Sequence, residues 1–192
     1  MLILASQSPR RQELLERAGF SFIVRVSGVP EVRLPGERPG CYVQRLARAK
    51  AESVKCGAGD VVLAADTVVV LDEHVLEKPD SEEDARRMLR VLSGRKHAVM
   101  TGVCLRTAGQ ITMDVESTLV RFAALTEDEI DAYVRTGEPM DKAGAYAIQG
   151  YASKFVDRIE GCYFNVVGLP VALVYRRLKE LQAASGQIFD LR

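Results

Sequence analysis

The chain lacks the composition of a nucleic-acid-binding protein. Among its 192 residues there is no Trp, only 6% are aromatic, and the 26 Lys and Arg equal the 26 Asp and Glu. Proteins that bind nucleic acid through its phosphates need local basic excess, and single-strand binders stack bases on aromatic side chains. We therefore expect no nucleic-acid partner.

Long apolar runs and paired cysteines are also missing. No segment approaches the ~20 apolar residues that a helix needs to cross a bilayer. The apolar start is very short, and Arg10 and Arg11 follow it, whereas a signal peptide carries its positive charge first. The 4 cysteines form no Cys-x-x-Cys pair, which favours a reducing compartment. We expect a cytoplasmic protein with no membrane partner.

Several catalytic motifs are absent. The only histidines, His74 and His97, form no His-x-x-x-His pair, so a His/Cys zinc site is not expected. There is no P-loop, no Gly-x-Gly-x-x-Gly and no Gly-x-Ser-x-Gly. The sequence therefore gives no motif-based support for a P-loop kinase, a Rossmann dehydrogenase or an α/β-hydrolase.

What is present is a mixture of strand–helix units and one long hairpin, which predicts a single α/β domain with a mixed sheet over residues 1–192. The predicted strands are 2–5, 22–26, 61–71, 75–77, 98–106, 111–122, 154–159 and 164–167. The predicted helices are 8–18, 42–55, 81–92, 126–135 and 170–184.

Two charged residues interrupt apolar patterns. The second predicted helix has an apolar stripe formed by Val43, Leu46, Ala47 and Val54. Lys50 falls in this stripe, and Asp66 lies in the middle of the apolar strand 61–71. A buried carboxylate costs several kcal/mol unless it is paired or hydrogen-bonded. Such a group suits a general base that activates water. The alternatives are a structural partner for Asp66 and a Lys50 that extends to solvent from the edge of the stripe.

Hydroxyl and guanidinium groups surround the start of the first helix. They belong to Ser6, Ser8, Arg10 and Arg11. Backbone N–H groups at a helix start favour a bound anion, and these side chains add donors suited to phosphate oxygens. The pattern predicts a phosphate site, and the alternative is a capped helix with solvated arginines.

Further candidates lie at a strand end and in a loop. Lys78 precedes Pro79 and is a second candidate cation, or else a simple loop charge. Glu31 lies in a loop rich in Pro and Gly, and together with Asp66 it could hold a divalent metal. Magnesium uses one or two carboxylates with substrate phosphates and water. The alternative for Glu31 is a solvated loop acid.

The segment 141–150 has no regular period and contains Lys142 and Gln149. A Gln amide offers both donors and acceptors, so it can recognise a base edge, or it can be a turn residue. Thr67 follows Asp66 and should point to the opposite face of a regular strand.

Sequence segments spread along nearly the whole chain resemble the Maf family, in order and at the family's spacing. They are LASQSPRR (4–11), ARAKA (47–51), ADTVV (65–69), EKP (77–79), LSGR (92–95), EPMDKAGAY (138–146), IQG (148–150) and NVVGLP (165–170). Any one segment is weak, but the set is highly specific.

The resemblance implies an inosine-triphosphatase-like (Maf/Ham1) fold. This is an elongated mixed sheet flanked by helices, with two lobes and a central cleft. It further implies a divalent cation, Mg²⁺ or Mn²⁺, a homodimer, and hydrolysis of a nucleoside triphosphate to the monophosphate and pyrophosphate.

The resemblance also implies roles for individual residues. Asp66 matches the family's catalytic base. The positions linked to substrate choice are Arg10, Thr67 and Gln149. The polar residues that line the family's cleft are Lys50, Lys78 and Glu31. We expect the phosphates to lie against Ser6, Ser8, Arg10 and Arg11, and Lys142 to contact the substrate.

The loop 141–150 is similar to that of the dTTP/UTP pyrophosphatases, so dTTP and UTP are the expected substrates, with CTP and modified pyrimidine nucleotides left open. Pro30 departs from the family, which often has a second acid before the glutamate matched by Glu31. The alternatives are a pyrophosphatase for non-standard purine nucleotides such as ITP and a nucleotide-binding regulator of septum formation.

Overall fold

A computed structural model of the chain describes residues 1–185. Within them a seven-stranded mixed sheet has the order β2–β1–β3–β5–β6–β7, and β4 pairs with β3. The strands are β1 (Leu2–Leu4), β2 (Phe22–Val24), β3 (Val61–Leu71), β4 (His74–Leu76), β5 (Lys96–Arg106), β6 (Ile111–Phe122) and β7 (Val156–Glu160). The helices are α1 (Pro9–Arg17), α2 (Pro39–Glu52), α3 (Glu82–Leu92), α4 (Glu127–Val134), α5 (Tyr163–Val167) and α6 (Val171–Ser185), with 3₁₀ turns at Glu138–Asp141, Ala143–Ala145 and Tyr151–Phe155.

The strand β3 lies at the centre of the apolar core. It pairs in parallel with β1, where Ile3 is opposite Val62, and antiparallel with β4. Every β3 residue except Thr67 is buried. A strand covered on both faces needs a continuous apolar run, which is the pattern that residues 61–71 display. The prediction of this strand is confirmed.

The chain divides into two compact units. Unit 1 comprises residues 1–66, 101–116 and the C-terminal part from 168, and unit 2 comprises residues 67–100 and 117–167. The strands β3, β5 and β6 each pass from one unit to the other. The mixed α/β sheet with flanking helices confirms the predicted fold class, while the central cleft stays a prediction.

One predicted strand is wrong. Residues 164–167 form most of the short helix α5, not a strand. Asn165 is fully buried, and its Nδ2 donates to Val99 O at 2.9 Å and to Thr118 Oγ1 at 3.0 Å. The Asn165 side chain thus donates to a carbonyl and a hydroxyl of the sheet, although residue 165 is not itself part of a strand. A short apolar run cannot be assigned to strand or helix by periodicity alone.

The other predicted elements occur with small shifts at their ends. The helix α2 begins at Pro39 rather than at Tyr42, because proline is favoured at the first helical position. The strand β7 begins at Val156, and Lys154 belongs to a 3₁₀ turn. Within residues 1–185 no helix combines the length and apolar character required to span a bilayer.

Candidate active site

A buried lysine joins two carboxylates in unit 1. Lys50 Nζ donates to Asp66 Oδ1 at 2.6 Å and to Glu31 Oε1 at 2.5 Å. Lys50 and Asp66 are 6% and 5% exposed, whereas the Glu31 side chain is 43% exposed. Glu31 therefore forms the solvent side of this group, which we call the 31–50–66 cluster.

Regular secondary structure places two members of the cluster. Lys50 lies on the buried face of α2 with Leu46 and Ala47, as the position of Lys50 in the apolar stripe predicts. Asp66 projects from the middle of β3. The strand and the helix thus fix the Lys50 ammonium and the Asp66 carboxylate next to each other.

The third member lies on a loop that α2 fixes in place. Arg45, on α2, donates from Nε and Nη2 to the Glu37 carboxylate, both at 2.7 Å, and from Nη2 to Val32 O at 2.9 Å. The hydrogen bond from Arg45 lowers the pKa of Glu37. Val32, the residue directly after Glu31, is thereby hydrogen-bonded to α2. The sequence pattern does not reveal the roles of Arg45 and Glu37, whose only signal is opposite charge near a helix start.

The charges around Asp66 act in opposite directions. Desolvation raises the pKa of Asp66, the Lys50 ammonium and the Arg11 guanidinium lower it, and the Glu31 carboxylate raises it. Burial is the largest of these effects, so the pKa lies above that of an ordinary aspartate. A carboxylate with a raised pKa is a stronger base toward water.

The cluster contains two carboxylates, which are ligands of the kind that a hard divalent cation prefers. Glu31 and Asp66 each have an oxygen within hydrogen-bonding distance of the same Lys50 nitrogen, so these oxygens converge. No group of three or more His, Cys, Asp or Glu side chains suited to a metal occurs in residues 1–185. Magnesium accepts such a limited set when phosphates and water complete its coordination.

The predicted phosphate site at the start of α1 contains one deeply buried arginine. Arg11 Nε donates to Gly168 O at 2.8 Å, and Nη1 donates to Ala65 O at 2.8 Å and to Ser6 Oγ at 3.3 Å. Burial lowers the pKa of Arg11, and the Asp66 carboxylate raises it. Arg11 therefore bonds the backbone directly before the catalytic candidate, which its sequence position does not reveal. Its contact with phosphate stays a prediction.

The remaining members of this site differ in exposure. Ser8 is the N-cap residue of α1, as predicted, but its side chain makes no capping hydrogen bond. Its backbone N–H donates to Ser6 Oγ at 3.2 Å, and Ser6 is buried. Arg10 is half-buried at the first turn. The structure thus brings Ser6, Ser8 and Arg11 together.

Four predicted site residues belong to unit 2. Thr67 is half-buried, while Lys78 and Gln149 are exposed. Lys142 Nζ donates to Glu138 O at 3.2 Å and also contacts the Asp141 carboxylate. Gly144 N donates to Glu77 O at 3.0 Å, which joins the segment after Lys142 to the residue before Lys78. The roles of these residues in substrate binding stay predictions.

The chain is similar to a known protein family over most of its length. The profile of the family described as "Maf-like protein" matches residues 1–181. The chain belongs to the Maf family. A dTTP/UTP pyrophosphatase of Koribacter versatilis is 55% identical over 93% of this chain and 93% of its own length. Another, of Vibrio cholerae, is 51% identical over 88% of this chain and 92% of its own length.

The fold has counterparts among solved structures. The Ham1 protein of Staphylococcus aureus superimposes with a TM-score of 0.52, covering 93% of this chain and 98% of its own, at 11% identity. A HAM1 protein of Coxiella burnetii gives a TM-score of 0.51 at 14% identity, covering 93% of this chain and 98% of its own. At such identities the likeness concerns the fold alone.

Proposed function

We propose that this Maf-family protein is a nucleoside triphosphate pyrophosphatase that hydrolyses dTTP and UTP to the monophosphate and pyrophosphate. The observation that carries the proposal is the buried Asp66 carboxylate, 2.6 Å from Lys50 Nζ, within a cluster that Glu31 opens to solvent. Relatives about half identical over most of this chain are named dTTP/UTP pyrophosphatases, which supports the choice of substrate.

Asp66 is the general base in this proposal. Its carboxylate takes a proton from a water molecule as that water attacks the α-phosphorus. The bond between the α-phosphorus and the oxygen bridging to the β-phosphorus breaks, and pyrophosphate leaves. Lys50 keeps Asp66 ionised and oriented, because it donates directly to Oδ1. Such base catalysis typically contributes about 10²–10⁴-fold.

Other residues bind the triphosphate. Ser6, Ser8 and Arg10 provide hydroxyl and guanidinium donors at the start of α1, where backbone N–H groups also favour an anion. Lys78 and Lys142 add positive charge to offset the charge of the phosphates. Thr67 and Gln149 contribute to the choice of nucleobase, because each offers a donor and an acceptor.

We also propose a divalent cation, Mg²⁺ or Mn²⁺, held by Glu31 and Asp66. When bound, such an ion neutralises phosphate charge and acts as a Lewis acid toward the phosphoryl oxygens. Both residues carry carboxylates, which are the ligands that such ions prefer, and the Glu31 side chain reaches solvent. Isothermal titration with Mn²⁺ should give binding that is weakened in Glu31→Gln and unchanged in the exposed control Glu83→Gln.

Three further properties complete the proposal. We propose that the protein is a homodimer, that it works in the cytoplasm and that it has no nucleic-acid partner. Zero net charge supports the last point. Light scattering, cell fractionation and gel retardation at physiological salt test the three properties in turn.

Pyrophosphate release from a panel of canonical and modified nucleotides tests the activity directly. We expect strong turnover of dTTP and UTP, and a loss of at least about 10²-fold in kcat for Asp66→Asn. The matched control is Asp157→Asn, because Asp157 is exposed and pairs only at the surface with Arg121. This control should retain wild-type kcat.

The other outcomes separate the competing functions. A preference for ITP would keep the reaction and replace the substrate. Tight nucleotide binding without turnover would favour a regulator of septum formation. An Asp66→Asn variant that is folded and fully active would remove Asp66 from the role of base.

A further inference from the structure

A carboxylate in unit 2 joins the two ends of the segment 138–151, which carries Lys142 and Gln149. One oxygen of Glu138 accepts from the Tyr133 hydroxyl at 2.9 Å. The other accepts from the backbone N–H of Tyr151 at 3.1 Å, across 13 positions of the sequence. The Glu138 side chain therefore closes the segment into a loop.

Tyr133 connects the same carboxylate to the interior of the segment. Its hydroxyl donates to Glu138 and accepts from the backbone N–H of Ala147 at 3.2 Å. The ring is fully buried and stacks on Tyr151, with centroids 5.6 Å apart and an angle of 11° between planes. The donor and acceptor roles of the hydroxyl are thus both fixed.

Glu138 also touches the neighbours of both predicted substrate residues. Its carbonyl oxygen accepts from Lys142 Nζ at 3.2 Å. A Cβ atom at Gly150, the residue after Gln149, would overlap both carboxylate oxygens of Glu138. The backbone at 150 consequently lies directly against the carboxylate, and Gln149 projects outward from this fixed backbone as an exposed side chain.

The middle of the segment is anchored separately. Gly144 has φ +66°, and a Cβ there would lie 2.8 Å from Val69 Cγ2. Tyr146 OH lies 2.8 Å from His97 Nε2 in the apolar core. These contacts hold residues 144–146 against the sheet. Within residues 147–151, Tyr133 and Glu138 bond the backbone at 147 and 151, and the side chain of Ile148 is buried.

We propose that Glu138 is a positioning residue for nucleobase selection. Its carboxylate sets the direction of the Gln149 amide through the backbone at 150–151, and its carbonyl oxygen sets the position of Lys142. A carboxylate bonded to a backbone N–H fixes the direction of the peptide as well as its distance, which apolar packing does not. The inference rests on the proposed function, because it requires that Gln149 contacts the base.

The test compares Glu138→Gln, Gln149→Ala and the double variant on UTP and ITP. An amide is uncharged and replaces one acceptor oxygen by a donor, so the charge-assisted hydrogen bonds from Tyr133 and Tyr151 cannot both be kept. We expect the ratio of kcat/KM for UTP to that for ITP to fall about tenfold in Glu138→Gln, mainly through KM for UTP. In the Gln149→Ala background the same change should have no further effect on the ratio.

A second variant and a control distinguish the positioning role of Glu138 from a simple folding defect. Tyr133→Phe keeps the buried ring and removes the hydroxyl that Glu138 accepts from, so it should lower the same ratio. Glu83→Gln makes the same chemical change on α3, where the Glu83 side chain is 74% exposed, and should leave the ratio unchanged.

Three results would overturn the inference. Glu138→Gln could lower kcat/KM equally for UTP and ITP, which is the result of a purely structural role. The effects of Glu138→Gln and Gln149→Ala on the ratio could simply multiply, which would make the two residues independent. A wild-type enzyme without preference for UTP would refute the proposed substrate, and the inference with it, whereas the first two results leave that substrate standing.

Discussion

Lys50 and Asp66 form a buried ion pair between α2 and β3, with Nζ 2.6 Å from Oδ1. Both side chains are 7% exposed, so the two opposite charges compensate each other away from bulk water. Removing one partner of a buried pair typically costs about 3–5 kcal/mol, because the remaining charge is left without compensation. The pair therefore links the stability of unit 1 to the protonation state of the proposed base.

The first prediction concerns the pH profile of Lys50→Met. Asp66 must be ionised to accept a proton, so kcat should fall as the pH drops through the Asp66 pKa. Burial already raises this pKa, and Lys50 opposes the rise. Without Lys50 the pKa rises further, and the acidic limb of the kcat profile should move to higher pH. A limb that stays in place would show that Lys50 does not control Asp66.

The control for this variant is Lys55→Met, because Lys55 is exposed and lies after the end of α2. It should keep both the wild-type profile and the wild-type thermal stability, because an exposed lysine side chain contributes little.

The second prediction separates two roles of Arg11. A lysine cannot reproduce the guanidinium fork that bonds Gly168 O and Ala65 O. Arg11→Lys should lower stability by about 1–3 kcal/mol and reduce kcat more than it raises KM, since a buried acceptor loses its partner beside Asp66. Thermal unfolding and steady-state kinetics measure both effects.

The comparison variant is Arg10→Lys, at the half-buried neighbouring position. It should chiefly raise KM. A rise in KM alone for Arg11→Lys, with wild-type stability, would instead assign Arg11 to the phosphates.

The sequence predicts the members of the 31–50–66 cluster to different degrees. Lys50 and Asp66 are conspicuous because each places a charge inside a regular apolar pattern, and regular elements make burial predictable. Glu31 lies in a loop without a period, and its position depends on long-range contacts from Arg45. The residues alone indicate Glu31 as a candidate metal ligand and leave a solvated loop acid as the alternative, and the family resemblance adds its place in the cleft.

The errors have the same origin. The helix α5 is missed because a short apolar run does not distinguish a strand from a helix, and the partners of the buried Asn165 are distant in sequence. The roles of Arg11, Tyr133 and Glu138 depend on partners distant in sequence or on the path of an irregular loop. No periodicity encodes such contacts, so local pattern cannot reveal them.

The third prediction concerns the contact between α2 and β5. A Cβ at Gly102 would overlap the backbone of Val43, which cannot move without displacing the helix. Gly102→Ala should therefore destabilise the protein by about 1–3 kcal/mol, as overpacking of a core typically does. Gly109→Ala is the matched control, because a Cβ at Gly109 meets nothing within 4 Å. Equal melting temperatures for the two variants would contradict the close approach.

The fourth prediction is a loss of stability on acidification that His97 causes. His97 is 2% exposed and lies edge-on to Phe122, with centroids 5.1 Å apart. Burial lowers its pKa from 6.5 to about 4. In the unfolded chain His97 therefore takes up a proton near pH 6.5, whereas in the folded chain it stays neutral down to about pH 4. Since the unfolded state binds more protons between these values, stability falls as the pH falls through this window.

The size of this effect follows from the pKa difference. At 1.36 kcal/mol per pH unit, His97 should contribute about 3 kcal/mol of stability at pH 7 that is lost by about pH 4. Urea denaturation at several pH values should show this loss in the wild type and a smaller loss in His97→Phe, which cannot titrate. His74→Gln replaces the only other histidine, which is exposed, and should retain the wild-type slope. If His97→Phe kept the wild-type slope, another buried group would have to carry the acid sensitivity.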